Sequence, residues 1–179
     1  PIIWDRSICN CIYTGIATDT GCFRYSNTTQ KAHLFAAKLI ECGAEFVIIN
    51  RVMFETKSRV RILLERMALD QIRFYFSGRC AIVYISREQM ESVGADNSMF
   101  EGISAIPRQI EGVDVGVTIR QDGADQFKLS FRTSEKVDAS ALAEEFGGGG
   151  HIRAAGCTMS GTIQEVEQQV LCQVKARLS

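Results

Sequence analysis

Apolar positions along this chain recur with two different periods. Between residues 4 and 17 they follow helical spacing, which stops at Thr18-Asp19-Thr20-Gly21 and predicts a helix ended by a turn. Residues 28–42 repeat that spacing, opened by Asn27-Thr28-Thr29 and closed by Gly43. Residues 46–54 are apolar with no defined face and fit either helix or strand. Over 56–70, Val60, Leu63, Leu64 and Met67 share one helical face. Then the period shortens to two. Ile72, Phe74 and Phe76 precede Ser77-Gly78-Arg79, and Ala81-Ile82-Val83-Tyr84-Ile85 follow it, which reads as a hairpin. Ser86 and Gln89 fit a capping box that starts a short helix. Two more strands, 113–120 and 127–132, flank Gln121-Asp122-Gly123. Asp138 opens a helix that stops at a glycine run. Thr162 and Glu165 cap the last helix, whose Ile163, Val166, Val170, Val174 and Leu178 form one apolar stripe that belongs to a core.

Strands outnumber helices only between 71 and 133, so the pattern predicts an α/β chain with a boundary at the 56–70 helix. Of the 179 residues, 46% are hydrophobic and only 2 are proline, enough to bury a core. The formal net charge of −1 excludes a global field that attracts nucleic acid. Any polyanion site must be a local cluster. No apolar run approaches a membrane span, which needs roughly 20 residues. The seven cysteines show no Cys-x-x-Cys pair and no zinc-ligand spacing, which points to reduced thiols in a cytoplasmic protein. The opening Pro1-Ile-Ile-Trp-Asp-Arg runs straight into helical patterning and reads as the start of a fragment.

Two constellations carry chemistry. The first is Phe146-Gly147-Gly148-Gly149-Gly150-His151-Ile-Arg-Ala-Ala-Gly156. A flexible hinge would be bordered by polar linker residues. Here a capped helix precedes the run, and small residues follow it. Glycines let main-chain N–H groups approach an anion closely, so a phosphate cradle is the stronger reading. No Gly-Lys-Ser/Thr and no Gly-x-Gly-x-x-Gly is present, which excludes the NTPase and dinucleotide loops. His151 at its end can offer a hydrogen bond or charge to phosphate. By strand alternation Lys128, Ser130 and Arg132 share one face opposite Leu129 and Phe131, adding cations and a hydroxyl. Arg108, after Pro107, can join them. The second constellation is Tyr13-Thr-Gly-Ile-Ala-Thr-Asp19-Thr-Gly21-Cys-Phe-Arg-Tyr-Ser-Asn-Thr-Thr29. Asp19 in a tight turn among small residues can serve as an oxygen ligand for a hard divalent ion. By itself it is equally a helix-ending turn.

At these two places the sequence resembles the DHH phosphoesterase family. The stretch around Asp19 is similar to the last conserved block of the DHH catalytic domain. The glycine–histidine stretch is similar to the signature of the DHH-associated C-terminal domain. Their order and separation resemble the bacterial oligoribonuclease/PAP phosphatase branch, and the resemblance spans essentially the whole chain. It implies a helical end of the catalytic domain at 1–55, a connecting helix at 56–70 and a mixed-sheet α/β substrate-binding domain at 71–179.

The resemblance also implies the chemistry. Two manganese ions (Mn2+) in the N-terminal domain activate a bridging hydroxide that attacks a phosphate ester, and the associated domain holds the far end of the substrate. Asp19 matches a metal-binding aspartate. Gly147, Gly148, Gly149, Gly150 and His151 match the substrate-holding motif. Ser130 and Arg132 match a phosphate-contacting Ser-x-Arg segment, and Arg108 falls in a segment like Arg-x-Ile-x-Gly-Val. The chain departs from the family by lacking Asp-His-His, and His33 is not preceded by Asp or His. The expected whole is a hydrolase of short RNAs, and of adenosine 3′,5′-bisphosphate, with a complete catalytic set only in the intact protein. The chain alone is expected to be inactive. A homodimer is compatible with the resemblance. A cyclic or linear dinucleotide phosphodiesterase and a non-catalytic nucleic-acid-binding module are the alternatives.

Overall fold

The computed structural model describes residues 4–25, 27–100 and 102–178. The opening Pro1-Ile2-Ile3 and Ser26 of the quoted motifs lie outside the described residues. The chain divides into two compact units, 1–57 and 58–179.

The first unit is helical. Helix α1 (Arg6–Asp19) starts where the Asp5 carboxylate accepts from the Ile8 N–H at 2.8 Å. It buries Cys9, Tyr13 and Ala17, one per turn. Helix α2 (Gln30–Glu41) is capped by the Thr29 hydroxyl and buries Ala36 and Leu39 against them. The ambiguous 46–54 segment is helix α3 (Phe46–Asn50), which continues as one π-helical stretch, Arg51–Glu55. Asn10 fixes its start, because the Asn10 Oδ1 accepts from the Glu45 N–H at 2.8 Å. Between α1 and α2, Gly21, Cys22 and Phe23 all have positive φ, so the chain reverses in a left-handed turn.

The second unit is built on one six-stranded mixed sheet, in the order β1-β2-β3-β4-β6-β5. Strands β1 (Arg73–Tyr75) and β2 (Cys80–Ile85) form the expected hairpin. Strand β3 (Val115–Gln121) lies parallel to β2, the one parallel pairing among the described residues, after helix α5 (Arg87–Ser92) and 3-10 turns that include Ile103–Gln109. Strand β4 (Gln126–Thr133) returns antiparallel to β3, and β6 (Ala154–Ser160) pairs with β4. The short strand β5 (Gly149–His151) closes the edge. Ser86 and Gln89 form the capping box of α5. Thr162 and Glu165 hydrogen-bond reciprocally at the start of helix α7 (Ile163–Leu178).

The two faces of this sheet differ. On one, Val115, Val117, Ile119, Phe127, Leu129, Phe131, Ala155, Cys157 and Met159 pack with Val166, Val170, Val174 and Leu178 of α7. Helix α6 (Ala139–Glu144) adds Leu142 and Ala143 to the same core. On the other, Val83 and Ile85 of β2 pack with helix α4 (Arg59–Asp70), Met90 and Ile103. This second cover lies over β2 and β3. The outward residues of β4 alternate exposed or half-buried, starting Gln126, Lys128, Ser130, Arg132.

Candidate functional site

The site is built from residues that pairing register aligns on the second face. Ser130 of β4 pairs with Gly156 of β6, which pairs with Gly149 of β5. Arg132 pairs with Gly116 on one side and Ala154 on the other, and Ala154 pairs with His151. Directly opposed residues of antiparallel strands point to the same face. Ser130, Gly149, Arg132 and His151 therefore occupy two adjacent cross-strand rows. Arg132 and His151 are two strands apart, about 10 Å at ~4.8 Å per strand. Between them stand only Ala154 and Gly156, so the floor is flat.

Arg108 enters from above Gly116. A side chain at Gly116 would lie 2.6 Å from the Arg108 backbone nitrogen, so only glycine lets the 103–109 turn sit on the sheet there. The Arg108 Nε is buried with no hydrogen-bond partner among the described residues. Beside it, Arg132 donates from Nη2 to the Ser104 Oγ at 3.2 Å and from Nη1 to the Phe131 carbonyl at 3.1 Å. Ser104 itself is buried, at 3% exposure. It lies in the 3-10 turn Ile103–Gln109, and no local pattern marks it in the sequence. Its neighbourhood to Pro107-Arg108 is the one available signal.

The glycine run divides its labour. Gly147 takes φ +70° just after α6, and its N–H donates to the Glu144 carbonyl at 3.0 Å. The Gly148 N–H donates to the Ala143 carbonyl at 2.9 Å. These two amides complete the helix end and are not free to face an anion, unlike the uniform cradle expected from sequence. A Cβ on Gly148 would sit 2.2 Å from the Gly156 carbonyl oxygen, whereas one on Gly149 would meet nothing within 4 Å. The Gly150 carbonyl accepts from the Ser140 hydroxyl at 3.1 Å. Arg153 turns away from the run. It donates to the carbonyls of Ser134, Val137 and Glu135, clamping the loop before α6.

Asp19 lies in the first unit. It is the exposed last residue of α1, and its Oδ2 accepts from the Asn27 Nδ2 at 3.0 Å. Among the described residues no group of three or more His, Cys, Asp and Glu side chains is placed to hold a metal ion. His33 stacks on Phe23 with ring centres 4.8 Å apart. The residues described do not make up a two-manganese centre.

Comparison with known proteins gives consistent relationships. The family model of the DHHA1 domain matches residues 78–179. The bifunctional oligoribonuclease and PAP phosphatase NrnA of Thermus thermophilus is 32% identical over 178 residues, covering 98% of this chain and 52% of that protein. Its namesake in Bacillus subtilis is 29% identical over 148 residues, covering 83% of this chain and 46% of that protein. The solved structure of an exopolyphosphatase-related protein from Bacteroides fragilis matches with a TM-score of 0.86 at 29% identity, over 97% of this chain and 51% of that one. The chain thus spans about half the length of these relatives. Among the described residues no helix is long and apolar enough to cross a membrane.

Proposed function

This chain belongs to the DHHA1 domain family, and from that premise we propose that it is the substrate-holding part of a metal-dependent phosphoesterase acting on short oligoribonucleotides and adenosine 3′,5′-bisphosphate. The observation that carries the reading is the alignment of Arg132, Ser130, Gly149 and His151 on one open face, with Arg108 at its margin. Each has a role that its chemistry supports. Arg132 presents a planar fork that can grip a phosphate through two N–H groups. The Ser130 hydroxyl donates to a phosphate oxygen. His151 contributes a ring N–H from the edge strand. Gly149 lets the ligand approach the backbone, since among the described residues nothing lies within 4 Å of where its Cβ would be. Asp19 is the metal-ligating position of the intact protein in this reading. Manganese, when bound by the whole enzyme, would supply the activated water. The residues here bind and orient the substrate.

A site confined to two cross-strand rows reads an end and not a long backbone. Calorimetric titration of the chain with di-, penta- and 20-nucleotide RNAs tests this. Tighter binding of the two shorter ligands is expected. Affinity that is independent of length, or rises with it, overturns end recognition and favours a general nucleic-acid-binding module.

A further inference from the structure

The face that carries Arg132 and Ser130 continues beyond them. One further row along the same strands, Lys128 of β4 pairs with Thr158 of β6. Here a hollow of about 490 Å3 opens, lined by Lys128, Ser130, Gly148, Gly156 and Thr158. Its floor is backbone, because two of those residues are glycines. Its polar groups are one ammonium and two hydroxyls.

The cations at the two ends of β4 are held apart. Lys128 and Arg132 are four residues apart on one strand, about 13 Å at ~3.3 Å per residue. Arg132 is tied to Ser104 at its own end. Lys128 leans the other way, its Nζ 3.5 Å from the Asp122 Oδ2. The other oxygen of Asp122 accepts from Arg120 at 3.0 Å. One carboxylate is thus shared by two cations. Arg120 is almost wholly buried, with 9% of its side chain exposed, while 54% of the Lys128 side chain is open to solvent. The group able to turn to a ligand is Lys128.

We infer that the hollow between Lys128 and Thr158 is a second anion subsite, which takes a further phosphate of the same nucleotide ligand. The inference rests on the proposed function, because Arg132 and Ser130 must first hold one phosphate. It adds that the site counts phosphates. A ligand with one phosphate engages Arg132 and Ser130, and a ligand with several spans β4 and also engages Lys128. Thr158 offers its hydroxyl to the same group.

The test compares adenosine 5′-monophosphate with the trinucleotide pApApA, titrated against the chain over a range of salt concentrations. Lys128→Met keeps the aliphatic stem and removes the charge, and Arg120 still satisfies Asp122, so the fold is retained. Thermal unfolding checks that it is. The variant is expected to bind the trinucleotide about threefold to fivefold more weakly, the range of a half-exposed ion pair. Its salt slope should fall by about 0.7, the value for one phosphate contact on a single strand. Monophosphate binding should not change. Thr158→Val should repeat the pattern more weakly without altering the salt slope. Unchanged trinucleotide affinity and slope in Lys128→Met overturns the subsite. Equal loss for both ligands also overturns it, since Lys128 would then serve the same phosphate as Arg132. If the unmodified chain binds neither ligand, the substrate-holding reading falls and the subsite with it. If it binds the monophosphate through Arg132 but ignores Lys128, only the subsite is wrong.

Discussion

Arg132 and Ser104 are joined by a 3.2 Å hydrogen bond between a strand that faces the open floor and a 3-10 turn that covers the rest of the sheet. Ser104 is buried and Arg132 is half-buried, so the bond restricts where the guanidinium can point. A phosphate-gripping arginine gains from such a tether, because less side-chain freedom is lost when ligand binds.

Arg132→Ala should therefore weaken nucleotide binding by roughly 1.5–3 kcal/mol, the worth of hydrogen bonds to a charged group. Arg132→Lys should recover only part, because the planar fork is lost. Ser104→Ala should cost about 1 kcal/mol in binding. Combined with Arg132→Ala it should cost nothing further, since the tether acts only through Arg132. Calorimetry on the four variants measures this. Additive losses would show that Ser104 contributes independently of Arg132.

Adjacent glycines should respond in opposite ways to the same methyl group. Gly148→Ala places a Cβ against the Gly156 carbonyl and Cys157, and neither can move without disturbing β6. A loss of roughly 1–3 kcal/mol in stability is expected. Gly149→Ala meets empty space, so stability should stay within about 0.5 kcal/mol. Nucleotide affinity should nonetheless drop, because the methyl enters the face proposed to hold the ligand. Melting curves and titrations of both variants separate the effects. Wild-type affinity in Gly149→Ala would mean that ligand never approaches that residue.

Much of this was legible in the chain, and the gaps have physical causes. Strand alternation placed Lys128, Ser130 and Arg132 on one face because Phe127, Leu129 and Phe131 have no other way to reach the core. The stripe on α7 is core for the same reason. Residues 46–54 stayed ambiguous because their helix buries little. Val47, Ile48, Val52 and Met53 are all about half exposed or more, so no single face was marked. Composition alone suggested one role for four glycines. Their separate roles as helix stop, close approach and edge strand depend on partners in β6 and α6. Ser104 was missed because its importance is tertiary.

Asp114 makes the fold acid-sensitive. Burial alone would raise its pKa, but hydrogen bonds from Arg79 and Ser134 and the ammonium of Lys136 outweigh that and hold it below the ordinary carboxylate value. A carboxyl lowered in the folded state adds stability above its unfolded pKa, about 3.9, and loses it as pH falls through the folded value. Thermal stability of the chain should thus decline below about pH 4. Asp114→Asn should lower stability at neutral pH by roughly 1–3 kcal/mol, at the smaller end because Arg79 and Lys136 are partly solvated. The same variant should flatten the acid limb of the stability curve. An unchanged limb would assign the acid sensitivity to other groups.

Two-metal hydrolysis needs ions roughly 3.5–4 Å apart, each held by several ligands, so that one oxygen is activated and another stabilised as it leaves. Asp19 is one exposed carboxylate, and one of its oxygens already accepts from Asn27. Manganese favours an oxygen-rich, near-octahedral set that a single aspartate cannot supply against water. Purified chain in millimolar Mn2+ should therefore hydrolyse neither a dinucleotide nor adenosine 3′,5′-bisphosphate above background. Nucleotide binding should persist in Asp19→Ala and in the presence of a chelator, because Arg132, Ser130 and His151 belong to the second unit and none of them is a proposed metal ligand. Turnover that vanishes in Asp19→Ala would show that the remaining ligands come from elsewhere in this chain, and would return catalysis to it.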